Sequence, residues 1–345
     1  MKRHKICKII FAILAVFLCV AFYELIGICI TYKKQPAVSD ATIKETQNIM
    51  SVAGRENTER AVIIEKNSQA LLERVRLIQN AKDEIILSTF AFKSDESGKL
   101  ILGALHDAAD RGVHVRILVD GMESWIDMEG NPYFYGLSSH ENVEIKLYNK
   151  ANPLKPWKTM GRMHDKYLIA DGKIYILGGR NTYNYFLGDF PGHKNFDRDV
   201  LVVCDEPQKD NSVNQLWNYF ETIWEQEDCR YFHNSKKLAD RQSVKKAVLE
   251  LQEGYQQYFE VNKEKICDKD YADETFETEK ITLLSNPIHT QAKEPVVWYQ
   301  LGELMKNAKE RVKIHTPYII CNDMMYNTWA VSYTHLRAHE TGRNL

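Results

Sequence analysis

The sequence predicts an α/β protein, with a mostly parallel sheet flanked by helices and one apolar helix at the N-terminus. Strand-like apolar runs alternate with amphipathic helical runs from about residue 61 onward. The helical runs are long enough to connect neighbouring parallel strands. Residues 9–30 form a continuous apolar run with a single charge, Glu24. We therefore expect a membrane segment followed by a body built around a sheet.

The apolar run at residues 9–30 is long enough to cross a bilayer, since its 22 residues span roughly 33 Å against a hydrocarbon core of about 30 Å. Four Lys/Arg residues precede the run and two follow it, which favours a cytoplasmic N-terminus. A cleaved signal peptide is the alternative, but no small-residue cleavage site follows the run. We predict a single-pass anchor in the cell membrane, with the body outside the cytoplasm.

The alternation of helices and strands defines the body. The predicted helices cover residues 67–83, 98–112 and 212–226, and the predicted strands cover residues 84–92, 113–121, 143–149, 166–170, 173–179 and 198–205. Asp171-Gly172 separates two of these strands and is a strong hairpin signal.

A second copy of the pattern follows the first. Asn80-Ala81-Lys82 can be aligned with Asn307-Ala308-Lys309, and the helical and strand periodicities around them match. This internal duplication predicts a second lobe. The predicted parts of the chain are an anchor at 1–34, a stalk at 35–60, a first lobe at 61–230, a helical bridging segment at 231–275, the start of a second, truncated lobe at 276–329 and an expected non-native tail at 330–345.

Composition limits the partners and cofactors. The chain has 45 basic and 47 acidic residues, and the N-terminal anchor holds the local basic excess, so the body is acidic. An acidic body argues against nucleic acid as a partner, although a local basic groove would remain compatible with it. The seven cysteines show no metal-binding spacing, and we predict no metal and no cofactor. A Cys204–Cys229 disulfide would require an oxidising compartment, and scattered free or buried thiols are the better interpretation.

One cluster of residue types indicates chemistry on a phosphodiester. His164, Lys166 and Asp171 form the pattern H-x-K-x-x-x-x-D, and residues two apart on a strand point to the same face. A neutral imidazole can attack phosphorus, while a neighbouring lysine neutralises the phosphate oxygens. Alone, the three residues could instead be ordinary strand and turn residues, because such a short pattern also arises by chance.

Polar residues that follow the pattern support the same chemistry. Gly178-Gly179 would let the backbone approach a phosphate closely, and the Asn181 amide can donate to a phosphate oxygen. An attacking imidazole also needs an acceptor on its other nitrogen, which Asp197 or Asp199 can supply.

This set resembles the HKD motif of the phospholipase D superfamily. "MHDKYLIADGKIYILGGRNTYNYF", followed by "FDRDV", is most similar to the cardiolipin-synthase branch, and the resemblance covers about residues 61–320. It implies a two-lobed α/β fold in which each lobe contributes one HKD motif to a shared site. It also implies a phosphohistidine intermediate.

The resemblance also implies roles for individual residues. His164 would be the nucleophile or its acid/base partner, and Asp171 would help to hold the motif strands. The residues that it assigns to phosphate binding are Lys166, Gly179 and Asn181. Asp197 would orient His164, and Asp199 is the less suitable of the two acids. Tyr185 and Phe186 match a Tyr-Phe pair of this branch and are equally well explained as packing residues.

A second H-x-K-x-x-x-x-D is absent from the sequence. If the repeat continued, its histidine would lie beyond residue 345. "VSYTHLRAHET" at residues 331–341 resembles the translation of a sequencing adapter, so we expect the natural protein to differ from about Ala330 onward. We expect the chain in this form to be truncated and inactive, unless a homodimer supplies a second histidine.

These observations predict a membrane-anchored phosphatidyltransferase of the cardiolipin-synthase type. The expected partners are a phosphatidylglycerol-type phospholipid, an alcohol acceptor and the membrane. A phospholipase D-type hydrolase or a nuclease is the alternative within enzymes. A non-catalytic membrane scaffold is the alternative of another class, in particular for the truncated chain.

Overall fold

A nine-stranded sheet forms the centre of the body in the computed structural model. The structure describes residues 2–51, 58–267, 270–314 and 320–331, with the side chains of residues 2–4 and 51 excepted. The strands are β1 (Glu59–Ile64), β2 (Glu84–Thr89), β3 (His114–Asp120), β4 (Val143–Tyr148), β5 (Tyr167–Ala170), β6 (Ile174–Gly178), β7 (Asp199–Cys204), β8 (Cys229–Tyr231) and β9 (Phe276–Glu277).

Helices lie before, between and after the strands in the chain, and several of them cover the faces of the sheet. They are α1 (Lys2–Tyr32), α2 (Asp40–Ser51), α3 (Asn67–Asn80), α4 (Glu96–Asp110), α5 (Gly121–Asp127), α6 (Pro132–Ser138), α7 (Ser212–Trp224), α8 (Lys236–Ala239), α9 (Gln242–Cys267), α10 (Tyr271–Glu274) and α11 (Val296–Asn307). The predicted helices and strands of the first lobe are all present, and the α/β class is confirmed.

The sheet is mixed, whereas the sequence predicted a mostly parallel one. Its strand order is β8-β4-β3-β2-β5-β6-β7-β1-β9. Among the described strands, only β2–β3 and β3–β4 pair in parallel, and the other six pairings are antiparallel. The β5–β6 hairpin causes much of this difference, because it enters the sheet beside β2. Asp171 and Gly172 have positive φ angles of 52° and 60°, as a tight hairpin turn requires.

Two apolar layers cover the two faces of the sheet. In β2, Ile85 and Leu87 belong to the layer that includes α3, α4, α6 and α9, and Ile86 belongs to the layer that includes α7. This alternation follows from the two-residue period of a strand. α9 packs on α3, α4 and α6 through residues that include Val244 and Leu251. The predicted bridging segment therefore contributes a helix to the first lobe.

The predicted stalk at 35–60 differs from the structure. Residues 40–51 form α2, and Glu59 and Arg60 begin a strand within the sheet. α2 is held to the later chain, because the Thr42 hydroxyl donates to Glu294 Oε1 at 2.6 Å. Within α1, Lys5–Tyr32 is long and apolar enough to cross a membrane by length and composition.

The predicted second lobe is only partly described. Its helix is present as α11, but residues 309–314 form no strand, and residues 315–319 lie outside the described part of the chain. The expected non-native tail lies outside it as well from residue 332 onward. A Cys204–Cys229 disulfide is excluded in this fold, because both thiols are free and five strands separate β7 from β8.

Candidate active site

The candidate site lies at one end of the sheet, where the parallel strands β2, β3 and β4 have their carboxyl ends. His164 shortly precedes β5, which pairs antiparallel with β2, so its start lies at this same end. β6 ends and β7 begins here too, since Gly178 pairs with Asp199. Residues that are distant in sequence are therefore brought together.

His164 and Lys166 form the centre of the site. Lys166 Nζ lies 3.1 Å from His164 Nδ1 and donates to the His164 carbonyl oxygen at 2.7 Å. Lys166 is buried, with 5 % of its surface exposed, whereas His164 is exposed. The Phe90 ring packs against the imidazole, with 4.4 Å between ring centres. The imidazole is thus held on one side and open on the other.

Both central groups have lowered pKa values. Desolvation lowers the pKa of His164, the Lys166 and Arg162 charges lower it further, and Asp120 opposes them. Burial lowers the pKa of Lys166 to about 8, against the opposing charges of Asp165, Asp197 and Asp120. Near neutral pH the imidazole is therefore neutral, while Lys166 is charged in most molecules.

Asp120 and Arg162 hold the segment that carries His164, and the sequence analysis did not select them. Arg162 Nε lies 2.9 Å from both carboxylate oxygens of Asp120, and the Met163 backbone N–H donates to the same carboxylate at 3.2 Å. Asp120 also accepts from the Met122 N–H at the start of α5. Its position at the end of a buried strand, just before a glycine, was a signal that could have identified it.

Asp171 lies away from the centre, although the sequence analysis grouped it with the catalytic residues. It follows β5, whereas His164 precedes that strand. Its carboxylate accepts from the backbone N–H groups of Lys82, Asp83 and Glu84, with distances from 2.9 to 3.2 Å. Asp171 thus ties the β5–β6 turn to the start of β2, consistent with a role in holding the motif strands.

Asp199 is part of a buried ion cluster. Its carboxylate contacts Arg74 Nη1 at 2.9 Å and Arg180 Nη1 at 3.2 Å, and all three side chains are buried. Arg180 also donates to the Ile64 and Glu65 carbonyl oxygens. This cluster joins α3, β7 and the end of β1, so the geometry gives Asp199 a structural role.

Asp197 makes no hydrogen bond with His164 among the described residues. Its carboxylate instead accepts from the Arg198 backbone N–H at 2.8 Å, and its charge acts on Lys166. Among the described residues, neither Asp197 nor Asp199 therefore accepts a hydrogen bond from the His164 imidazole. Lys166 Nζ lies beside Nδ1 of that ring instead.

The glycine pair makes room for these two acids. A Cβ at Gly178 would collide with the Asp199 carboxylate, and one at Gly179 would collide with the Asp197 carboxylate. The sequence analysis had attributed both glycines to a close approach of phosphate. The space that the two neighbouring carboxylates need explains both glycines without a bound phosphate.

The remaining candidate residues from the sequence, Asn181 and Tyr185, lie in the segment that follows β6. Asn181 is buried, and its Oδ1 accepts from the Ala91 N–H at 3.2 Å. Because Oδ1 already accepts from Ala91, the side-chain NH₂ group of Asn181 is the part that can donate hydrogen bonds to a ligand. Tyr185 stacks with Tyr183 and contacts Phe186 edge-on, with 6.1 and 4.9 Å between ring centres, which is the geometry of a packing residue.

A cavity of about 310 Å³ opens beside His164. Asp165 lies in it, and the Tyr219 hydroxyl donates to its carboxylate at 2.8 Å. Burial raises the Asp165 pKa, and Tyr219, Lys166 and Lys293 oppose that shift. Lys293 comes from the predicted start of the second lobe, so this part of the chain contributes a charge to the site. The sequence analysis missed Lys293 because no motif surrounds it.

Comparison with known proteins finds similarity to a family of the same kind over part of the chain. Residues 75–224 match the family described as "Cardiolipin synthase, PLD-like domain". An uncharacterized protein of Helicobacter pylori is 27% identical over 293 residues, with 76% of this chain and 55% of that protein covered. Cardiolipin synthase C of Escherichia coli is 29% identical over 154 residues, with 41% of this chain and 31% of that protein covered.

Among solved structures, NucT from Helicobacter pylori superimposes with a TM-score of 0.39 and 17% identity, over 50% of this chain and 99% of that one. The chain spans 55% or less of the length of these curated relatives. The family match ends at residue 224, within the first lobe, so it does not include the predicted second lobe.

Proposed function

We propose that the protein cleaves a phosphodiester bond of a membrane phospholipid through a phosphohistidine on His164, a proposal that the match of residues 75–224 to a PLD-like family supports. The observation that carries this proposal is the His164–Lys166 pair, in which an exposed neutral imidazole lies 3.1 Å from a buried lysine amine. A nucleophile and a charge for the phosphate oxygens are therefore side by side.

Substrate binding changes the pairing of Lys166. A charged ammonium only donates, so in the free protein it makes Nδ1 the acceptor and leaves the imidazole hydrogen on Nε2. A bound phosphodiester offers better acceptors, and Lys166 turns toward its non-bridging oxygens together with the Asn181 amide. This releases Nδ1 to carry the hydrogen, and Nε2 then has a free lone pair.

The first chemical step exchanges one bond at phosphorus for another. The Nε2 lone pair of His164 forms an N–P bond as the bond from phosphorus to the leaving alcohol oxygen breaks, and that oxygen takes a proton from an acid. We propose that this acid is a second imidazole, which another copy of the chain or a second motif would supply. Lys166 stabilises the negative charge on the phosphorus oxygens.

The second step reverses the first with a new alcohol. The acceptor loses its proton to the same second imidazole as its oxygen attacks phosphorus, and the N–P bond to His164 breaks. With a phosphatidylglycerol hydroxyl as acceptor, the product is cardiolipin, which is the activity that we propose. α1 would hold the site close to its lipid, with the N-terminus in the cytoplasm and the body on the other side.

Covalent labelling tests the mechanism directly. Phosphatidylglycerol radiolabelled at phosphorus is mixed with the protein in a form that carries the second motif, and the mixture is quenched in alkali, where phosphohistidine survives. We expect label on the wild-type protein and none on His164→Gln. His193→Gln is the matched control, because His193 is an exposed histidine at the same end of the sheet and should retain the label.

The lipid products then separate the proposed reaction from hydrolysis. Labelled cardiolipin supports transfer to a lipid acceptor, and labelled phosphatidic acid alone would support water as the acceptor. Equal labelling of His164→Gln and wild type would contradict the proposed nucleophile.

A further inference from the structure

Exposed apolar side chains are concentrated around the site end of the sheet. Among residues 58–267, ten large hydrophobic side chains are exposed, and six of them lie on segments that adjoin the sheet at this end. These six, which we call the apolar rim, are Trp125, Ile126, Leu154, Trp157, Met160 and Phe196. A group of exposed apolar side chains of this kind marks an interaction surface.

The sheet topology places the apolar rim beside His164. Its members lie on three segments: α5, which follows β3; the loop 149–162, which follows β4; and the loop 188–198, which precedes β7. Each segment adjoins the sheet at the end where β5 begins. β3 and β4 run parallel to β2 and end there, and β7 begins there, opposite Gly178. The rim and the catalytic pair therefore face the same side of the molecule.

The charge of the loop 149–162 indicates which partner it meets. The loop has four basic residues and no Asp or Glu. Lys158 pairs with Asp228 and Arg162 with Asp120, which leaves Lys150 and Lys155 without an ion pair among the described residues. Tryptophan and leucine between lysines suit the boundary of a bilayer, where apolar groups reach the acyl chains and the ammonium groups stay at the headgroups. Anionic lipids add attraction for such a basic segment.

The same loop packs against the apolar helix α1. The Thr159 hydroxyl donates to Glu24 Oε2 at 3.1 Å, and the Tyr23 hydroxyl donates to the Leu154 carbonyl oxygen at 3.4 Å. Gly27 is in close contact with Pro156, since a Cβ there would lie 2.6 Å from the proline ring. The single charge of the apolar run thus has a polar partner on this loop.

The position of these contacts along α1 indicates how deep the loop 149–162 lies in the bilayer. Lys5–Tyr32 contains 28 residues, so this segment is about 42 Å long against a hydrocarbon core of about 30 Å. If the core begins after Lys8, it ends near Ile28. Residues 23–27 then lie within roughly 8 Å of that end of the core, on the acyl-chain side of the headgroups, and the loop that contacts them lies there too.

From this we infer that the apolar rim inserts into the leaflet from which α1 emerges, so that the opening of the His164 site faces anionic phospholipid headgroups. The inference rests on the membrane anchoring of the proposed function. It adds a lipid-binding surface and gives a reason for the otherwise exposed Trp125, Leu154 and Phe196. The substrate would then reach His164 by moving within the leaflet.

Fluorescence quenching in vesicles tests this insertion with the full chain. The vesicles contain three parts phosphatidylcholine and one part phosphatidylglycerol. The exposed and half-exposed cysteines are replaced by serine, while the buried Cys204 and Cys229 remain. A single environment-sensitive label is placed by Leu154→Cys or Phe196→Cys. Val261→Cys is the control, because Val261 is 84% exposed on α9, away from the site end.

We expect the Leu154 and Phe196 labels to emit at shorter wavelength and to be quenched severalfold more by spin-labelled lipid than by iodide. The Val261 label should show the opposite preference. Rim labels that respond to iodide as the Val261 label does would overturn the inference.

A label at Phe17 in α1 separates this inference from the proposed function. A Phe17→Cys label protected from iodide, together with exposed rim labels, would contradict the rim insertion alone. A Phe17 label open to iodide would contradict the anchor and the inference together. The phosphohistidine experiment depends on neither outcome.

Discussion

At the scale of single residues, the site depends on opposite protonation states in two neighbouring side chains. In the proposed mechanism, His164 must be neutral to attack phosphorus, and Lys166 must be charged to neutralise the phosphate oxygens. Their pKa values are both shifted down, chiefly by desolvation. The shifts define the pH range in which both states coexist.

The first prediction is a bell-shaped pH dependence of phosphohistidine formation. The rate should rise on the acid side, below pH ~6.5, as His164 loses its proton, since its pKa lies below that ordinary value. It should fall as pH passes the Lys166 pKa of about 8, because the ammonium charge is then lost. Single-turnover rates against pH measure both limbs.

Two variants assign the alkaline limb. Lys166→Arg should lower the rate but move that limb to higher pH, because guanidinium remains charged. Asp197→Asn should move it to lower pH, because the Asp197 carboxylate raises the Lys166 pKa. An alkaline limb that stays in place in both variants would contradict the assignment to Lys166.

The second prediction concerns the buried ion cluster of Asp199. Asp199→Asn should leave the buried Arg74 and Arg180 without their counter-charge and reduce the free energy of unfolding by about 3–5 kcal/mol. Asp197→Asn is the matched control and should change the stability by less than about 0.5 kcal/mol, since this side chain is half-exposed. Urea unfolding measures both, and equal losses would contradict the structural role of Asp199.

At the scale of elements, the β5–β6 hairpin holds the segment that carries His164 in the sheet. Its turn residue Asp171 accepts from three backbone N–H groups at the start of β2. The glycines at the end of β6 leave room for acids at the start of β7. Both features act on strand position and neither contacts His164.

The third prediction separates positioning from catalysis at Asp171. Asp171→Ala removes the acceptor of these N–H groups and should lower the free energy of unfolding by about 2 kcal/mol. The folded fraction should keep most of its rate, whereas His164→Ala should abolish turnover. Unfolding curves and activity per folded molecule measure the two effects. A loss of rate in Asp171→Ala as complete as in His164→Ala would contradict a purely structural role.

The fourth prediction concerns the glycine pair. Gly178→Ala places a Cβ against the Asp199 carboxylate and 2.6 Å from the Arg198 carbonyl oxygen. We expect a loss of about 1–3 kcal/mol in the free energy of unfolding. Gly254→Ala on α9 is the control, where a Cβ meets nothing within 4 Å. That variant should gain about 0.5–1 kcal/mol from its helix propensity.

At the scale of the whole molecule, α1 and the body share a surface. The loop 149–162 contacts α1, and the Tyr32 hydroxyl at the end of α1 donates to the Thr290 carbonyl oxygen at 2.8 Å. α1 is therefore joined to the body at the site end and at the later chain. This arrangement ties the orientation of the body to that of α1.

The fifth prediction is the side of the membrane on which the body lies. Ser39→Cys, in a chain with Cys267 and Cys321 replaced by serine, should react with an impermeant thiol reagent on intact cells. The excess of basic residues before the apolar run keeps the N-terminus inside. Reaction only after lysis would place the body in the cytoplasm. The same chain without Ser39→Cys is the control for any reaction of the three cysteines in α1.

The sequence alone predicted the elements of the first lobe and, through its motif, the chemistry that we propose. The spacing of apolar residues predicted α3, β2, α4 and β3, because a helix or strand that buries one face repeats apolar residues at a short, regular interval. His164 and Lys166 were identifiable because they are two residues apart and their contact is local. The hairpin at Asp171 was identifiable for the same reason.

Only the tertiary structure decided which distant groups meet. Pairing of β5 with β2 makes the sheet mixed, and strand pairing depends on neighbours that lie far apart in the chain. Asp120, 42 residues before Arg162, orients the catalytic segment, and no local pattern could join them. Asp199 resembled a candidate orienter in sequence, but burial between Arg74 and Arg180 makes it structural. Local periodicity records burial, whereas the partner of a charge depends on long-range packing.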